Sequence, residues 1–428
     1  MGRTGRLIRT AARKFEELGI PGIVTGTLVV SGRELVLPTE PVVAVCLDGM
    51  DRDYLDAARA EAPLPFLDHC SGAGFYGMAR GALPSFTNVN NVSLVTAAPP
   101  SVHGISGNYF LDPLNGEAVM MNDPAFLWVE TLLAAAARAG RRVALVTAKE
   151  KLRRLLTGGM NGIALSTERL QDARAETHGV ARAVELLGRP APEVYSADAS
   201  LAVLDLGLAL LTRGLADLLY LSLTDYIQHV YPPEAPAAIA FVREVDARLA
   251  ELARTGARVG ATADHGMSAK HDPADNPNVL YLAEQLAERW GPGPRVILPI
   301  TDPYVVHHGA LGGCAHIYLP EPEHAEEVAA WLATLPGISG ALPRAAAAHW
   351  CQQPPDRIGD VMVFAEADSV LGLTPADHDL SLLHGPLRSH GGPAEQMVPF
   401  LLTLPRTPYL DPVGLRNFDL LPALLSDA

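Results

Sequence analysis

Six aspartate and histidine side chains in this 428-residue sequence form a candidate set of metal ligands: Asp48, Asp225, His229, Asp264, His265 and His390. Asp225 and His229 are four residues apart, a spacing that puts both side chains on one face of a helix. Carboxylate oxygens and imidazole nitrogens are the donors expected for Zn²⁺, with Mn²⁺ as an alternative. A single structural zinc ion, which would only stabilise the fold, takes four ligands. The larger set favours two metal ions.

A threonine supplies a candidate nucleophile. Thr87 follows Pro84 and Ser85, residue types that begin helices, and an apolar run comes after it, so we expect Thr87 in the first turn of a helix. Free backbone N–H groups at such a position can bind a phosphate or its transition state. A threonine there commonly serves only as a helix cap. Beside metal ions, however, its hydroxyl can ionise near neutral pH and attack phosphorus.

Four short apolar segments, typical of buried strands, each lead into an acidic or basic residue. They are PVVAVCLDGMD with Asp48, RRVALVTAKEK with Lys149, LLYLSLTDYIQH with Asp225 and ARVGATADHG with Asp264. In an open parallel sheet, ligands bind outside the carboxyl ends of the strands. We therefore expect one site, assembled from distant parts of the chain, at one edge of the sheet. Lys149 and Lys151 would lie at this edge, although two solvated surface lysines are the alternative.

Alternation of strand and helix patterns predicts an α/β fold with a mostly parallel central sheet and helices on both faces. The predicted strands span residues 42–47, 143–147, 218–223 and 258–262, and the predicted helices span 125–139, 199–212 and 237–254. Before these elements we expect a short helix, followed by a hairpin over residues 23–37 that turns at Ser31-Gly32.

The pattern changes after Met267. Residues 268–384 are rich in proline and glycine and have their own candidate strands (295–299 and 315–319) and helix (323–335). We expect a smaller inserted α+β cap domain there. The core domain would then comprise residues 1–267 and 385–428, with a final buried strand over 397–404. An insertion between two parts of one site is suited to act as a lid.

Composition excludes several classes of partner. The net charge of −15 disfavours nucleic acid and anionic membranes, and the chain has no apolar run long enough to span a bilayer. The basic N-terminus lacks the apolar region of a secretory signal. The cysteines, Cys46, Cys70, Cys314 and Cys351, are widely spaced and are expected to be free buried thiols. These features predict a cytoplasmic protein, and the sequence leaves its oligomeric state open, with a homodimer as one option.

The order of these residues resembles that of the alkaline phosphatase superfamily of two-metal phospho- and sulfohydrolases, and the resemblance covers nearly the whole chain. It implies two Zn²⁺ ions. It implies one ion held by Asp48, Thr87, Asp264 and His265, and the other by Asp225, His229 and His390. A threonine nucleophile resembles that of the nucleotide pyrophosphatase/phosphodiesterase and phosphonoacetate hydrolase families. It differs from the serine of alkaline phosphatases and the formylglycine of sulfatases.

Three further positions bear on the substrate. Asn108 resembles the asparagine that contacts a phosphoryl oxygen in both families, and Lys149 with Lys151 resembles the lysine pair that receives the carboxylate in phosphonoacetate hydrolases. The segment DPYVVHHGALGG resembles their cap, although no role follows for His307 or His308, which are expected to be surface or core histidines.

The resemblance implies hydrolysis of phosphonoacetate, a small anionic substrate, to acetate and phosphate through a phospho-threonine. The alternatives are a phosphodiesterase or nucleotide pyrophosphatase of the same superfamily, a metal-dependent phosphate-ester mutase or transferase, and a non-catalytic binding protein on an inactivated scaffold.

Overall fold

The computed structural model describes residues 23–301, 309–381, 383, 385–405 and 413–426. Its strands, numbered in chain order, are β1 (Gly26–Val30), β2 (Arg33–Leu37), β3 (Val42–Cys46), β4 (Phe75–Arg80), β5 (Tyr109–Leu111), β6 (Ala118–Met120), β7 (Val143–Thr147), β8 (Ile163–Ser166), β9 (Leu218–Ser222), β10 (Arg258–Thr262), β11 (Ser268–Ala269), β12 (Val279–Tyr281), β13 (Arg295–Ile297), β14 (Cys314–Tyr318), β15 (Ile338–Pro343), β16 (Val361–Ala365), β17 (Val370–Gly372), β18 (Arg388–Ser389) and β19 (Met397–Leu402).

The α-helices, numbered in the same way, are α1 (Arg52–Glu61), α2 (Pro65–Gly72), α3 (Thr87–Thr96), α4 (Pro100–His103), α5 (Leu132–Arg138), α6 (Glu150–Leu156), α7 (Ala175–His178), α8 (Ala183–Leu187), α9 (Ala197–Thr212), α10 (Tyr226–Val230), α11 (Pro236–Arg254), α12 (Leu282–Trp290), α13 (Ala325–Leu332), α14 (Arg344–Trp350) and α15 (Leu420–Leu425). Short 3₁₀ turns occur at Pro124–Phe126, Leu170–Asp172, Pro322–His324, Pro355–Arg357, Pro375–Asp377, Pro393–Glu395 and Asn417–Asp419. None of the described helices is both long and apolar enough to cross a membrane.

The central sheet has seven strands in the order β4-β19-β10-β3-β9-β7-β8. The strands from β10 to β8 are parallel, whereas β19 runs antiparallel to β10 and β4 on either side. Every residue of β3, β7 and β9 is buried, as expected when helices cover both faces of a parallel sheet. Strands β1 and β2 form a separate antiparallel hairpin.

Two neighbouring residues of β9 show that both faces are covered, because successive side chains of a strand point to opposite faces. Tyr220 donates a hydrogen bond from its hydroxyl to Asn91 of α3 at 2.8 Å. Leu221 packs so closely on α9 that a Cβ atom added at Gly207 would lie 2.5 Å from it. The predicted α/β fold, with a mostly parallel sheet between helices, is confirmed.

A second sheet lies in the proposed insertion. It is antiparallel, in the order β13-β14-β16-β15, and it packs with α12, α13 and α14 around a second hydrophobic core. This core also includes residues at and just before the start of α3, namely Ala82, Leu83, Phe86 and Val89. The chain leaves the core fold at β11 and returns at β18, and these two strands pair with each other, Ser268 opposite Ser389. The division into a core domain and an inserted domain over residues 268–384 stays a prediction.

The hairpin over residues 23–37 is confirmed, and β7 and β10 have the predicted bounds. The helix predicted over residues 125–139 is shorter and begins at Leu132. Its start is set by Thr131, whose hydroxyl accepts a hydrogen bond from the N–H of Ala134 at 3.1 Å. The four cysteines are free and buried, as predicted. The helix predicted before the hairpin lies outside the described residues.

Candidate metal centre

Three candidate ligands and one lysine lie just beyond the carboxyl ends of four adjacent strands. Asp48 follows β3, Asp225 follows β9 and Asp264 follows β10, and each is almost completely buried. Lys149 follows β7, the next strand along the sheet. Because parallel strands end at the same edge, residues from distant parts of the sequence meet there.

One cluster of potential ligands comprises Asp225, His229 and His390, all buried. The Nε2 atom of His229 lies 3.0 Å from Oδ2 of Asp225, and the Nε2 atom of His390 lies 3.6 Å from the same oxygen. Asp225 stands immediately before α10, and His229 follows one turn later, so the helix brings both side chains to the same side. His390 comes from the loop after β18.

A second cluster comprises Asp48, Asp225 and His265, with His265 Nε2 3.3 Å from Oδ1 of Asp48. Asp264 lies beside it, with its Oδ2 at 3.7 Å from His265 Nε2. The other oxygen of Asp264 accepts hydrogen bonds from the main-chain N–H groups of Gly49, at 3.2 Å, and His265, at 3.1 Å. Asp225 therefore belongs to both clusters and joins the two sets of candidate ligands.

The donor set fits divalent cations. The buried Oδ1 of Asp48 accepts no hydrogen bond of good geometry from the described residues, and its neighbour there is Nε2 of His265 at 3.3 Å. All three imidazoles are oriented with Nε2 toward the carboxylates, because a main-chain carbonyl holds the other ring nitrogen, which fixes a proton on Nδ1. The Nδ1 atom of His229 donates to the carbonyl of Arg388 at 2.9 Å, and that of His265 donates to the carbonyl of Gly266 at 2.9 Å. The Nδ1 atom of His390 donates to the carbonyl of Ser85 at 2.7 Å.

Electrostatics at the site are dominated by buried carboxylates. Burial and the charge of Asp48 raise the pKa of Asp264 to about 7. Burial alone would raise the pKa of Asp225, but Lys149 and His229 beside it hold that pKa well below its usual range. The pKa of Lys149 is raised, because Asp225 and Asp48 outweigh the opposing effect of burial. The site attracts positive charge.

Thr87 is the first residue of α3 and lies next to the second cluster, with its Oγ1 3.5 Å from His265 Nε2. It is buried, with an exposed fraction of 6%. The predicted position in the first helical turn is confirmed. Asn108 lies at the same helix end, where its Oδ1 accepts a hydrogen bond from the N–H of Asn88 at 3.2 Å. Met121 links Asn88 and Asn108, because its carbonyl accepts a hydrogen bond from the side-chain amide of Asn88 and its N–H donates to the carbonyl of Asn108.

The two lysines of the predicted pair differ in environment. Lys149 donates from Nζ to Asp48 and to Asp225, at 2.9 Å in each case. Lys151 is half-buried in the first turn of α6. Burial and the neighbouring charge of Lys149 lower the pKa of Lys151 to about 7. The histidines for which the sequence predicted no role, His307 and His308, lie outside the described residues.

Sequence reasoning missed two residues that shape the site. Asn91 donates from Nδ2 to the carboxylate of Asp264 and to the carbonyl of Thr87, at 3.1 Å in both cases. It lies one helical turn after Thr87, and this spacing was the available signal. Gly49 has a left-handed φ of +72°, and a Cβ atom there would lie 2.8 Å from Cβ of Asp225. The Asp-Gly pair after an apolar strand was the corresponding signal.

This fold, with its Asp/His clusters at the carboxyl edge of the sheet, is that of the alkaline phosphatase superfamily of hydrolases. The model of the type I phosphodiesterase / nucleotide pyrophosphatase family matches residues 42–392. Two solved structures of phosphonoacetate hydrolase from Sinorhizobium meliloti 1021, one with phosphonoacetate and one with phosphonoformate, are each 44% identical to this chain. Each match covers 94% of this chain and 98% of the other, with a TM-score of 0.90. The chain belongs to the type I phosphodiesterase / nucleotide pyrophosphatase family and to the family of phosphonoacetate hydrolase.

A more distant structure shares the fold. Murine ectonucleotide pyrophosphatase / phosphodiesterase 5, solved as an inactive variant with AMP, is 17% identical, and the match covers 90% of this chain and 95% of that one. Its TM-score is 0.61. At this identity the similarity concerns the architecture alone.

Proposed function

We propose that this protein hydrolyses the C–P bond of phosphonoacetate to give acetate and phosphate. The observation that carries the proposal is the position of Lys149, whose Nζ lies 2.9 Å from the carboxylates of both Asp48 and Asp225. An ammonium group at the border of a metal centre can pair with the carboxylate of a substrate whose phosphonate is bound there. The similarity to a phosphonoacetate hydrolase solved with phosphonoacetate supports this substrate.

The chemistry explains why positive charge is needed at two places. Cleavage of a C–P bond leaves an electron pair on carbon, and in phosphonoacetate this pair delocalises into the adjacent carboxylate as an enolate. Cations near that carboxylate stabilise the charge as it develops. We assign this role to Lys149 and Lys151. Asn108, beside the start of α3, would donate from its amide to a phosphoryl oxygen.

The nucleophile in this proposal is Thr87. Its Oγ forms a bond to phosphorus as the C–P bond breaks, and the hydroxyl proton is lost to solvent. The departing carbon keeps the electron pair and takes a proton from water, which gives acetate. A water molecule then cleaves the phospho-threonine, which releases phosphate and restores the hydroxyl. The N-terminus of α3 favours the negative charge of the phosphoryl group at this position.

Two zinc ions are the cofactors we propose. Asp48, Thr87, Asp264 and His265 would hold one ion, and Asp225, His229 and His390 would hold the other. When bound, these ions supply positive charge at the phosphoryl oxygens and lower the pKa of a hydroxyl or water nucleophile. With Asp48 and Asp225 engaged as ligands, the ammonium of Lys149 becomes available to the substrate. The inserted domain over residues 268–384 would exclude water as a lid.

The nucleophile can be tested by trapping. Zinc-loaded protein is mixed with phosphonoacetate, quenched in acid within one turnover, and digested for mass spectrometry. We expect one phosphoryl group on the peptide that contains Thr87, and none in Thr87→Ala, which should still bind zinc. Turnover without a phosphorylated peptide, or unchanged turnover in Thr87→Ala, would contradict the assignment.

A second candidate function is hydrolysis of phosphodiesters, which the match to the type I phosphodiesterase / nucleotide pyrophosphatase family favours. Both reactions would use the same metal ions and the same threonine. They differ in the leaving group, since an alkoxide or phosphate needs no ammonium partner for a carboxylate. Substitution of the lysine pair therefore separates them.

A further inference from the structure

We propose that the buried ion pair between Lys270 and Glu395 is a positioning device that holds His265 and His390 in place to bind metal. The inference rests on the two-metal site proposed above. Lys270 and Glu395 are each 1% exposed, and Lys270 Nζ lies 2.8 Å from Glu395 Oε1. The same ammonium donates to the carbonyl of Ala367 at 2.8 Å.

The pair lies where the chain enters and leaves the inserted domain. Lys270 directly follows β11, and its N–H donates to the carbonyl of Leu387 just before β18, at 2.8 Å. Its own carbonyl accepts from the N–H of Asn278 at 3.0 Å. The contact with Ala367 adds a further segment of the insertion. Lys270 thus joins the segment by which the chain enters the insertion to the segment by which it returns.

Glu395 extends this connection to one metal-ligand loop. Its main-chain carbonyl accepts a hydrogen bond at 2.8 Å from the N–H of Gly266, the residue after His265. The carbonyl of Gly266 in turn accepts from Nδ1 of His265 at 2.9 Å. Glu395 therefore holds Gly266 by its N–H group, and the carbonyl of Gly266 orients the ring of His265.

Glu395 also reaches the loop of the other histidine. Its Oε2 accepts from the N–H of Gly392, two residues after His390, at 3.0 Å. The carbonyl of Gly392 accepts from the hydroxyl of Ser85. The carbonyl of Ser85 accepts from Nδ1 of His390 at 2.7 Å. A continuous set of hydrogen bonds therefore runs from the ion pair to the ring of His390.

A buried ion pair is poorly explained as a stabilising feature, because desolvation of two charges offsets much of their attraction. Its position gives a better reason. Lys270 is one of only four lysines in a chain with 33 basic side chains, and Lys149 and Lys151 are two of the others. A compact ammonium with three donors can contact Glu395 and a carbonyl together in a small space.

The test measures zinc affinity by competition with a chelating indicator, using Lys270→Met and Glu395→Gln in the full-length protein. Lys270→Met leaves a buried carboxylate without its cation, and Glu395→Gln leaves the ammonium without an anion. Partners that orient metal ligands typically contribute 10- to 100-fold to metal affinity, so we expect a loss of about that size for both ions. Circular dichroism verifies that each variant is folded. The two variants change the buried charge in opposite directions, so the test can be made with either one if the other does not fold.

Arg141→Met is the matched control. Arg141 forms an equally buried ion pair with Asp217, at 2.7 Å, but at the opposite ends of β7 and β9 from the site. We expect it to lower thermal stability and leave zinc affinity unchanged. Wild-type affinity in folded Lys270→Met or Glu395→Gln, or an equal loss in Arg141→Met, would overturn the inference. A wild-type protein that binds no zinc would instead contradict the proposed metal site.

Discussion

The imidazole rings of His265 and His390 are stacked, with centroids 3.5 Å apart and an angle of 7° between the ring planes. They come from two loops, one after β10 and the other after β18. Burial, together with the neighbouring His265 and His229, holds the pKa of His390 well below its usual range. The pKa of His265 is raised to about 9, since Asp264 and Asp48 outweigh the effect of burial. Near neutral pH, we therefore expect the metal-free protein to have a neutral His390 and a protonated His265.

Zinc binding should release protons. Metal ligands must be deprotonated. A bound metal ion therefore displaces the proton on Nε2 of His265, which faces the carboxylates, and any proton that the acidic residues share. Calorimetric titrations near neutral pH, in buffers of different ionisation enthalpy, should show about one proton or more released per protein. A binding enthalpy that does not vary with the buffer would contradict this expectation.

The stability of the metal-free protein should depend on pH. The folded-state pKa values of Asp264 and His265 are raised, to about 7 and about 9, so both groups bind protons more tightly in the folded state. Their contribution to the free energy of unfolding is fully present below the unfolded values. It is lost as pH rises through the folded values, from about 4 to about 9. Asp225, whose pKa is lowered, acts in the opposite sense, because its contribution is present above the unfolded value and is lost only as pH falls into the acidic range.

Urea denaturation with a chelator, compared near pH 6 and near pH 9, measures this dependence. We expect the metal-free protein to be less stable at the higher pH. Zinc should remove or reverse the difference, because bound metal stabilises the deprotonated ligands. A metal-free protein that gains stability between these pH values would show that other groups dominate.

Gly49 should not tolerate a side chain. Gly49→Ala would place a methyl group 2.8 Å from Cβ of Asp225 on a backbone with φ of +72°. Gly32, in the hairpin turn, is the control, because its φ is +75° and nothing lies within 4 Å of an added Cβ. We expect Gly32→Ala to cost about 1 to 2 kcal/mol from backbone strain alone. Gly49→Ala should cost about 1 to 3 kcal/mol more and weaken zinc binding. Equal losses in the two variants would show that the contact with Asp225 carries no energy.

The lysine pair should determine the substrate. A hydrogen bond to a charged group contributes about 1.5 to 3 kcal/mol, so Lys149→Ala should lower kcat/KM for phosphonoacetate by about 10- to 100-fold. Hydrolysis of bis(p-nitrophenyl) phosphate should change little. Arg153→Ala, on the same helix, is the control, because that guanidinium pairs with Glu150 at 2.8 Å. Equal losses on both substrates in Lys149→Ala would remove the assigned role.

The parts of the fold that the sequence predicts best are the buried parallel strands. Strands β7 and β10 have the predicted bounds because a strand covered on both faces is a continuous apolar run that ends at a polar residue. Strand β4 (Phe75–Arg80) was missed because it is a partly buried edge strand with neither a continuous apolar run nor strict alternation. The helix before β7 was predicted too long because an apolar composition does not show where Thr131 caps it.

In the site, the side chains were predictable and their supports were not. The candidate ligands can be recognised in the sequence, because aspartate and histidine residues follow the apolar strands. The carbonyls of Ser85, Gly266 and Arg388, which orient the three histidines, leave no mark in a sequence. Lys270 and Glu395 are far apart along the chain, and they meet because β11 pairs with β18 and the N–H of Gly266 bonds to the carbonyl of Glu395.

Phosphate release from phosphonoacetate by zinc-loaded protein tests the account most directly. The assay is run beside bis(p-nitrophenyl) phosphate, with a chelator-treated sample as the control. We predict chelator-sensitive release of phosphate from phosphonoacetate, well above turnover of the diester. Turnover of the diester alone would retain the metal centre and Thr87 but contradict C–P bond hydrolysis.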